Sequence, residues 1–203
     1  MPSPSADAPL EAADVDVLFD VANAAILDGL EGRQPRLPDA GPLPEALRRA
    51  QAAFVTLTVD GALNGCIGDI DGDEPLALAV ARHAWSAAFT DPRLPPLRAE
   101  QHEHLTIEIS LLSEFVPAPA TSRAELLAAL RPHVDGLIVS AHGRRALFLP
   151  AVWEQLPRAD DFVDHLLAKA GLSASRWPTG LAAETFTATR YSRKAGGRSS
   201  SAA

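Results

Sequence analysis

Cysteine is as scarce as any residue type in this 203-residue chain, which carries a single one, Cys66. No internal disulfide can form, and thiolate zinc centres and iron–sulfur clusters, which need about three or four cysteines, are excluded. Long apolar runs are missing too. Arg82, His83 and Arg98 interrupt the longest candidates, leaving them short of the roughly 20 residues of a bilayer span. Nothing near Met1 has the basic and then apolar pattern of a secretory signal, so the expectation is a cytoplasmic protein with no membrane partner. Basic residues are outnumbered 18 to 26, for a net charge of -8. That balance repels phosphate backbones, and no nucleic acid is expected. There is no phosphate-binding glycine loop, dinucleotide fingerprint or Gly-x-Ser-x-Gly elbow, and no cofactor is expected. Internal repeats are absent as well.

What remains is 47% hydrophobic and 22% charged, the composition of a chain that buries a core and folds unaided. Its length suits one ordinary domain, or one with a small added lobe. Residues 1–10 are rich in Pro, Ser and Ala, and residues 193–203 in Gly, Ser and Ala. Both read as frayed tails, leaving residues 11–192 as the folded domain.

Within it, Leu18, Val21, Ala25 and Ile26 recur at helical steps between Asp14 and Leu30. A proline-rich loop and a short helical turn at 45–50 follow. AFVTLTV at 53–59 alternates like a strand, Asp60-Gly61 supplies a tight hairpin turn, and ALNGCIGDI at 62–70 returns. Pro75 opens a helix with Leu76, Val80, Ala84 and Ala87 on one face. LTIEISLL at 105–112 is a half-buried strand, with Glu108 and Ser110 opposite its aliphatic face. Thr121 or Ser122 caps a helix ended by Pro132, and His142-Gly143 joins a second hairpin. Asp160 or Asp161 caps a further helix closed by Gly171, and ETFTATRY at 184–191 reads as one last strand. Hairpins mixed with helices, without strict alternation, give an α+β fold with a largely antiparallel sheet and flanking helices.

Asn64-Gly65-Cys66-Ile67-Gly68 is the most unusual local feature, because glycines weaken a strand and mark a bulge or a close approach. One reading is a thiol presented on a bend beside backbone N–H groups able to hold an oxyanion. The other is a buried cysteine packed as a small hydrophobe. A nucleophilic cysteine needs a basic partner, and spacing does not place His83 beside it. His102 and His104 would share a face on a strand, but no further ligand cluster follows and His-Glu-x-His falls one residue short of the zinc helix motif; no metal is expected. If the Glu108 face is covered, Glu108 needs a donor, for which Arg93 is the candidate. Arg144 and Arg145 add a small basic spot.

FVTLTVDGALNGCIGDI, AAFTDPRLPPL, LTIEISLLSEF, DGLIVSAHGRRALFLPAVWEQLP, FVDHLLAKAGL and TRYS together resemble the AMMECR domain in order and spacing, over about residues 17–192. In prokaryotes the domain is called AmmeMemoRadiSam system protein A. Five of the six positions of its Leu-Arg-Gly-Cys-Ile-Gly motif match from Leu63 to Gly68. The resemblance implies a larger lobe on an antiparallel sheet, a smaller lobe, and a cleft between them beside the cysteine. It implies a Memo-like protein and a radical SAM protein as partners, and it implies site positions at Asn64, Gly65, Cys66, Ile67, Gly68, Asp91, Arg93, Glu108 and Ser110. Asn64 replaces the family arginine and removes a cation beside the thiol, and Leu94 replaces the usual phenylalanine. The favoured expectation is an accessory or binding module whose cleft around Cys66 takes a small ligand or a partner peptide. The alternative is an enzyme using Cys66 as nucleophile or redox thiol on a small anionic substrate held by Arg93 and Glu108.

Overall fold

The structure, a computed structural model, describes residues 9–39 and 41–195. It falls into two units, one formed by the chain up to Leu112 together with the segment from Thr189, the other by Ser113–Ala188.

The first unit is a four-stranded sheet under two helices. Helix α1 (Ala12–Leu30) buries Leu18, Phe19, Ala22, Ala25 and Ile26, the stripe the spacing predicts. It begins two residues earlier than expected. Gly32, at φ 74°, ends it: the N–H of Gly32 donates to Gly29 O and that of Arg33 to Asp28 O, a left-handed cap that only glycine adopts without strain. Asp28 in that last turn is fully buried, and its carboxylate accepts hydrogen bonds from Arg36 and Arg33, which hold it far below the usual carboxylate range. The two arginines thereby tie the following proline-rich loop to the helix end.

A single turn, α2 (Glu45–Arg48), leads into strands β1 (Ala53–Val59) and β2 (Ala62–Gly68). Asp60 and Gly61, at φ 48° and 81°, make the predicted hairpin turn. Helix α3 (Leu76–Phe89) follows Pro75, and β3 (Leu105–Leu112) returns to pair antiparallel with β1. Strand β8 (Ala188–Lys194) lies beyond β3, giving the order β2-β1-β3-β8. Val55, Leu57, Ile107 and Ile109 meet Leu18, Ile26, Val80 and Ala84 of the helices in one core.

The second unit has the order β4-β7-β5-β6, all antiparallel: β4 (Val116–Ala118), β5 (Gly136–Ala141), β6 (Arg144–Phe148) and β7 (Ala182–Phe186). Helices α4 (Arg123–Ala129) and α5 (Ala159–Lys169) complete it. Trp153 stacks on Phe162 at 3.8 Å and donates through Nε1 to Asp135 O, centring the core. The expected α+β class holds, with two antiparallel sheets in place of one.

Three local expectations are corrected and one open choice, the cap of α4, is resolved. The segment 184–191 is two strands, not one, because the chain changes sheet at Thr187, where Thr187 and Ser113 exchange hydrogen bonds. Nothing in the alternation of ETFTATRY marks that break. Ser122, not Thr121, caps α4, its hydroxyl accepting from Glu125 N–H. Arg158 occupies the N-cap of α5 without a side-chain bond, while Asp160 and Asp161 sit inside the first turn, where their charge favours the helix dipole. Ordered structure also runs past both expected tail boundaries: Leu10 N–H donates to the Tyr191 hydroxyl, and Arg193 in β8 pairs with Asp16. The tail expectations for 1–8 and 196–203 lie outside the described residues.

Candidate functional site

A regular hairpin closed by Asp60-Gly61 would set Val55 opposite Cys66 and send its side chain into the helix-covered core. The observed register differs. Val59 faces Ala62 and Thr58 faces Leu63, but Leu57 then faces Gly65 and Thr56 faces Cys66. Asn64 is the extra residue of a β-bulge. One residue of slip turns every later side chain to the other face, so Cys66 stands on the side of Thr56, away from the core. The Thr56 hydroxyl donates to Cys66 Sγ at 3.2 Å. Across β1 the same Thr56 faces Glu108, and Phe54 faces both Gly68 and Ser110. Cys66, Thr56 and Glu108 therefore form one cross-strand row. All three are half-buried, and Ser110 beside them is buried.

The glycines have a packing reason. A Cβ on Gly65 would lie 1.9 Å from Ala87 O, so the backbone of α3 rests directly on β2. At Gly68 a Cβ would come within 2.4 Å of Ala53 O and the Phe54 ring. Asn64 is 7% exposed, and its Oδ1 has no hydrogen-bond partner among the described residues.

Strand β2 is an edge strand, and the outward N–H and C=O of Cys66 have no neighbouring strand to meet. Asp91 and Arg93 take that place. Cys66 N–H donates to Asp91 Oδ2 at 3.0 Å, Arg93 Nη2 donates to Cys66 O at 3.0 Å, and the two side chains pair at 2.7 Å. Arg93 also donates through its backbone N–H and Nε to Asp91 Oδ1. The Arg93 guanidinium, helped by Cys66 N–H, outweighs burial and holds the Asp91 carboxyl far below its ordinary range. The candidate residues Asp91 and Arg93 thus converge on the cysteine through its backbone, and the Arg93 guanidinium also lies against the Cys66 side chain.

Other expected pairings are not made. Arg93 meets Asp91 and Cys66 rather than Glu108. His83 lies on α3, which packs on the Gly65 face, so it is across the sheet from the Cys66 side chain. Its Nε2 is 2.9 Å from Asp69 Oδ2, poorly aligned for a hydrogen bond, and burial pushes its pKa down against the pull of Asp69. His102 and His104 lie on a 3-10 turn (Ala99–His104), not a strand, with His102 against Asn23 and His104 against Asp60. Among the described residues no group of three or more His, Cys, Asp or Glu is gathered to hold a metal ion, and no helix is long and apolar enough to cross a membrane. Thr56 is the member of this row that sequence reasoning missed. Its alternation in AFVTLTV assigns its face, but the bulge that brings Cys66 to it cannot be counted from the turn.

The fold and the bulged edge strand define an α+β protein built on a cysteine-bearing hairpin clamped by an Asp-Pro-Arg segment. Residues 19–191 match the AMMECR1 family model, and the chain belongs to that family. It is 37% identical over 171 residues to a protein of Methanothermobacter thermautotrophicus, covering 81% of this chain and 86% of the relative. A protein of Thermotoga maritima is 33% identical over 156 residues, covering 76% and 84%. The crystal structure of an uncharacterized protein from Pyrococcus horikoshii superposes with a TM-score of 0.81 at 27% identity, covering 91% of this chain and 94% of that one.

Proposed function

We propose that this protein is a cytoplasmic binding module, and that the polar face of its first sheet, centred on the Cys66–Thr56–Glu108 row, is the recognition surface. The resemblance implies a Memo-like protein and a radical SAM protein as the partners it serves. The observation that carries the reading is the environment of the thiol: the Cys66 side chain meets the hydroxyl of Thr56 and the guanidinium of Arg93, neither of them able to take its proton, and its backbone is pinned at both N–H and C=O. A rigid, half-buried polar strip suits recognition, since groups already fixed lose little entropy on binding. A catalytic thiol needs a group to take its proton. The anionic ligand expected from Arg93 loses its anchor, because that guanidinium is neutralised by Asp91. Glu108, Thr56 and the sulfur offer acceptors instead, and these favour a partner peptide or ligand that presents N–H or ammonium groups.

The test is a pull-down of a Memo-like protein and a radical SAM protein from the same organism. Wild type and Cys66→Ser capture the partner alike, while Glu108→Arg loses it. No capture by wild type overturns the reading. So does an iodoacetamide titration in which the folded thiol ionises clearly below the reference near 8.5, because that outcome supports a nucleophile.

A further inference from the structure

The second unit carries its own concavity, of about 500 Å³, unrelated to Cys66. Arg144 and His142 of the β5–β6 hairpin, Arg176 and Trp177 of the loop after α5, and the apolar Leu172 and Pro178 line it. No Asp or Glu does. In a chain of net charge -8, a hollow with two guanidiniums and an imidazole but no carboxylate is a local reversal of sign.

Its parts are held in place. Arg144 Nη1 donates to Gly171 O at the end of α5. Gly171 sits at φ 69°, and a Cβ there would come 2.8 Å from that guanidinium, so the glycine makes room for the arginine. Trp177 is half-buried and fixed by its Nε1 donating to Ala120 O at 2.9 Å. Arg145, the other half of the basic spot in the sequence, turns instead towards Glu184 at 3.7 Å. Arg176 has no ion pair or hydrogen bond among the described residues and is exposed at the rim. A planar guanidinium presents five donors in a fork that matches carboxylate or phosphate oxygens. Arg144 spends one on Gly171 and keeps the rest.

We propose that this hollow binds a small organic oxyanion with an apolar or aromatic body, the head group between Arg144 and Arg176 and the body against Trp177, Leu172 and Pro178. The reading stands on different residues from the Cys66 surface, and either can fail without the other.

The probes are phenyl phosphate, benzoate and inorganic phosphate, titrated into the full chain by calorimetry and by amide chemical-shift mapping. Phenyl phosphate or benzoate binds saturably, more tightly than inorganic phosphate, and shifts the Trp177 indole N–H and the Gly171 amide. Arg176→Ala weakens binding about tenfold, the loss of one charge-assisted contact, and Arg176→Glu abolishes it. Arg158→Ala, on a surface arginine paired with Asp161, leaves it unchanged. A lack of saturable binding at millimolar concentration overturns the proposal. So does binding that Arg176→Glu leaves intact, or shifts confined to residues outside the hollow. Equal affinity for phenyl and inorganic phosphate overturns the role of Trp177.

Discussion

Thr56 donates its hydroxyl to the sulfur of Cys66 across 3.2 Å, a contact that exists only because Asn64 is an extra residue in β2. Counting back from the Asp60-Gly61 turn, Cys66 belongs opposite Val55, in the core. The bulge moves it one place, onto the face it shares with Glu108. Whether the cysteine is a structural hydrophobe or part of a polar site is therefore decided by one residue of register.

Gly65→Ala is expected to be among the most damaging single-methyl changes in the chain. The new Cβ meets the carbonyl of Ala87 at 1.9 Å, and backbone of a packed helix cannot rotate aside as a side chain can. Overpacking of this kind costs about 3 kcal/mol, read as a fall in the urea midpoint. Gly61→Ala strains only the local φ, with nothing within 4 Å of the new atom, and is the milder control.

Asp91→Asn leaves the Arg93 guanidinium without its counter-charge and weakens the hold on Cys66 N–H. The expected loss is about 2–4 kcal/mol at neutral pH. Because the folded carboxyl is depressed, its contribution is complete above the ordinary aspartate value of about 3.9 and is lost as pH falls towards the folded one. Denaturant titrations should show wild type and variant converging as pH drops below about 4. A gap constant with pH would mean that the ionised carboxylate is not the stabilising species.

Much of the scaffold was legible in the residues. Both hairpins, the stripe of α1 and the face of α3 follow from periodicity and from Asp60-Gly61 and His142-Gly143, which adopt the positive φ their types allow. The candidate site could be named as a set of residues but not as an arrangement. Gly-Cys-Ile-Gly and Asp-Pro-Arg could be named, yet nothing in their spacing says that Asp91 and Arg93 seal an exposed strand edge, or that His83 faces away from the sulfur. Those facts depend on sheet order and on a bulge, which are set by long-range pairing and by how closely α3 approaches β2. The switch of sheets at Thr187 was hidden for the same reason, since alternation is a property of each strand and carries no record of its neighbour.

Asn64 offers a direct measure of what the bulge costs. Its buried Oδ1 has no partner among the described residues, and an unsatisfied buried acceptor costs about 1–3 kcal/mol. Asn64→Leu, close in volume and free of that oxygen, is expected to raise the urea midpoint. Asn64→Asp, which puts a charge in the same place, lowers it, and by less as acid neutralises the carboxyl. A drop with Asn64→Leu would point to hydrogen bonding that keeps the amide.

His83 predicts a second pH dependence, in a different range. Burial lowers its pKa in the folded chain, although Asp69 pulls the other way. On acidification the unfolded chain takes up a proton that the folded one resists, so stability falls as pH drops through about 6.5. His83→Gln should flatten the part of this decline between about pH 7.5 and about pH 5.5. An unchanged slope would mean the imidazole is protonated as readily in the fold as out of it.

The bulged register has a chemical readout in the reactivity of the single thiol. With Thr56 directly beside the sulfur, Thr56→Ala removes both the donor hydroxyl and a methyl group from its flank, and iodoacetamide should reach native Cys66 several-fold faster. Val55→Ala is the discriminating partner, because Val55 would flank Cys66 in an unbulged hairpin but here faces Ile67 on the core side. It opens space in the core at a cost of about 2–3 kcal/mol, and it should leave the alkylation rate of the folded protein close to wild type. Both rates are compared under conditions where circular dichroism shows the variants fully folded, so that global unfolding does not supply the reactive thiol. Acceleration by Val55→Ala and not by Thr56→Ala would place Cys66 in the core register and remove the polar row on which the proposed recognition surface depends.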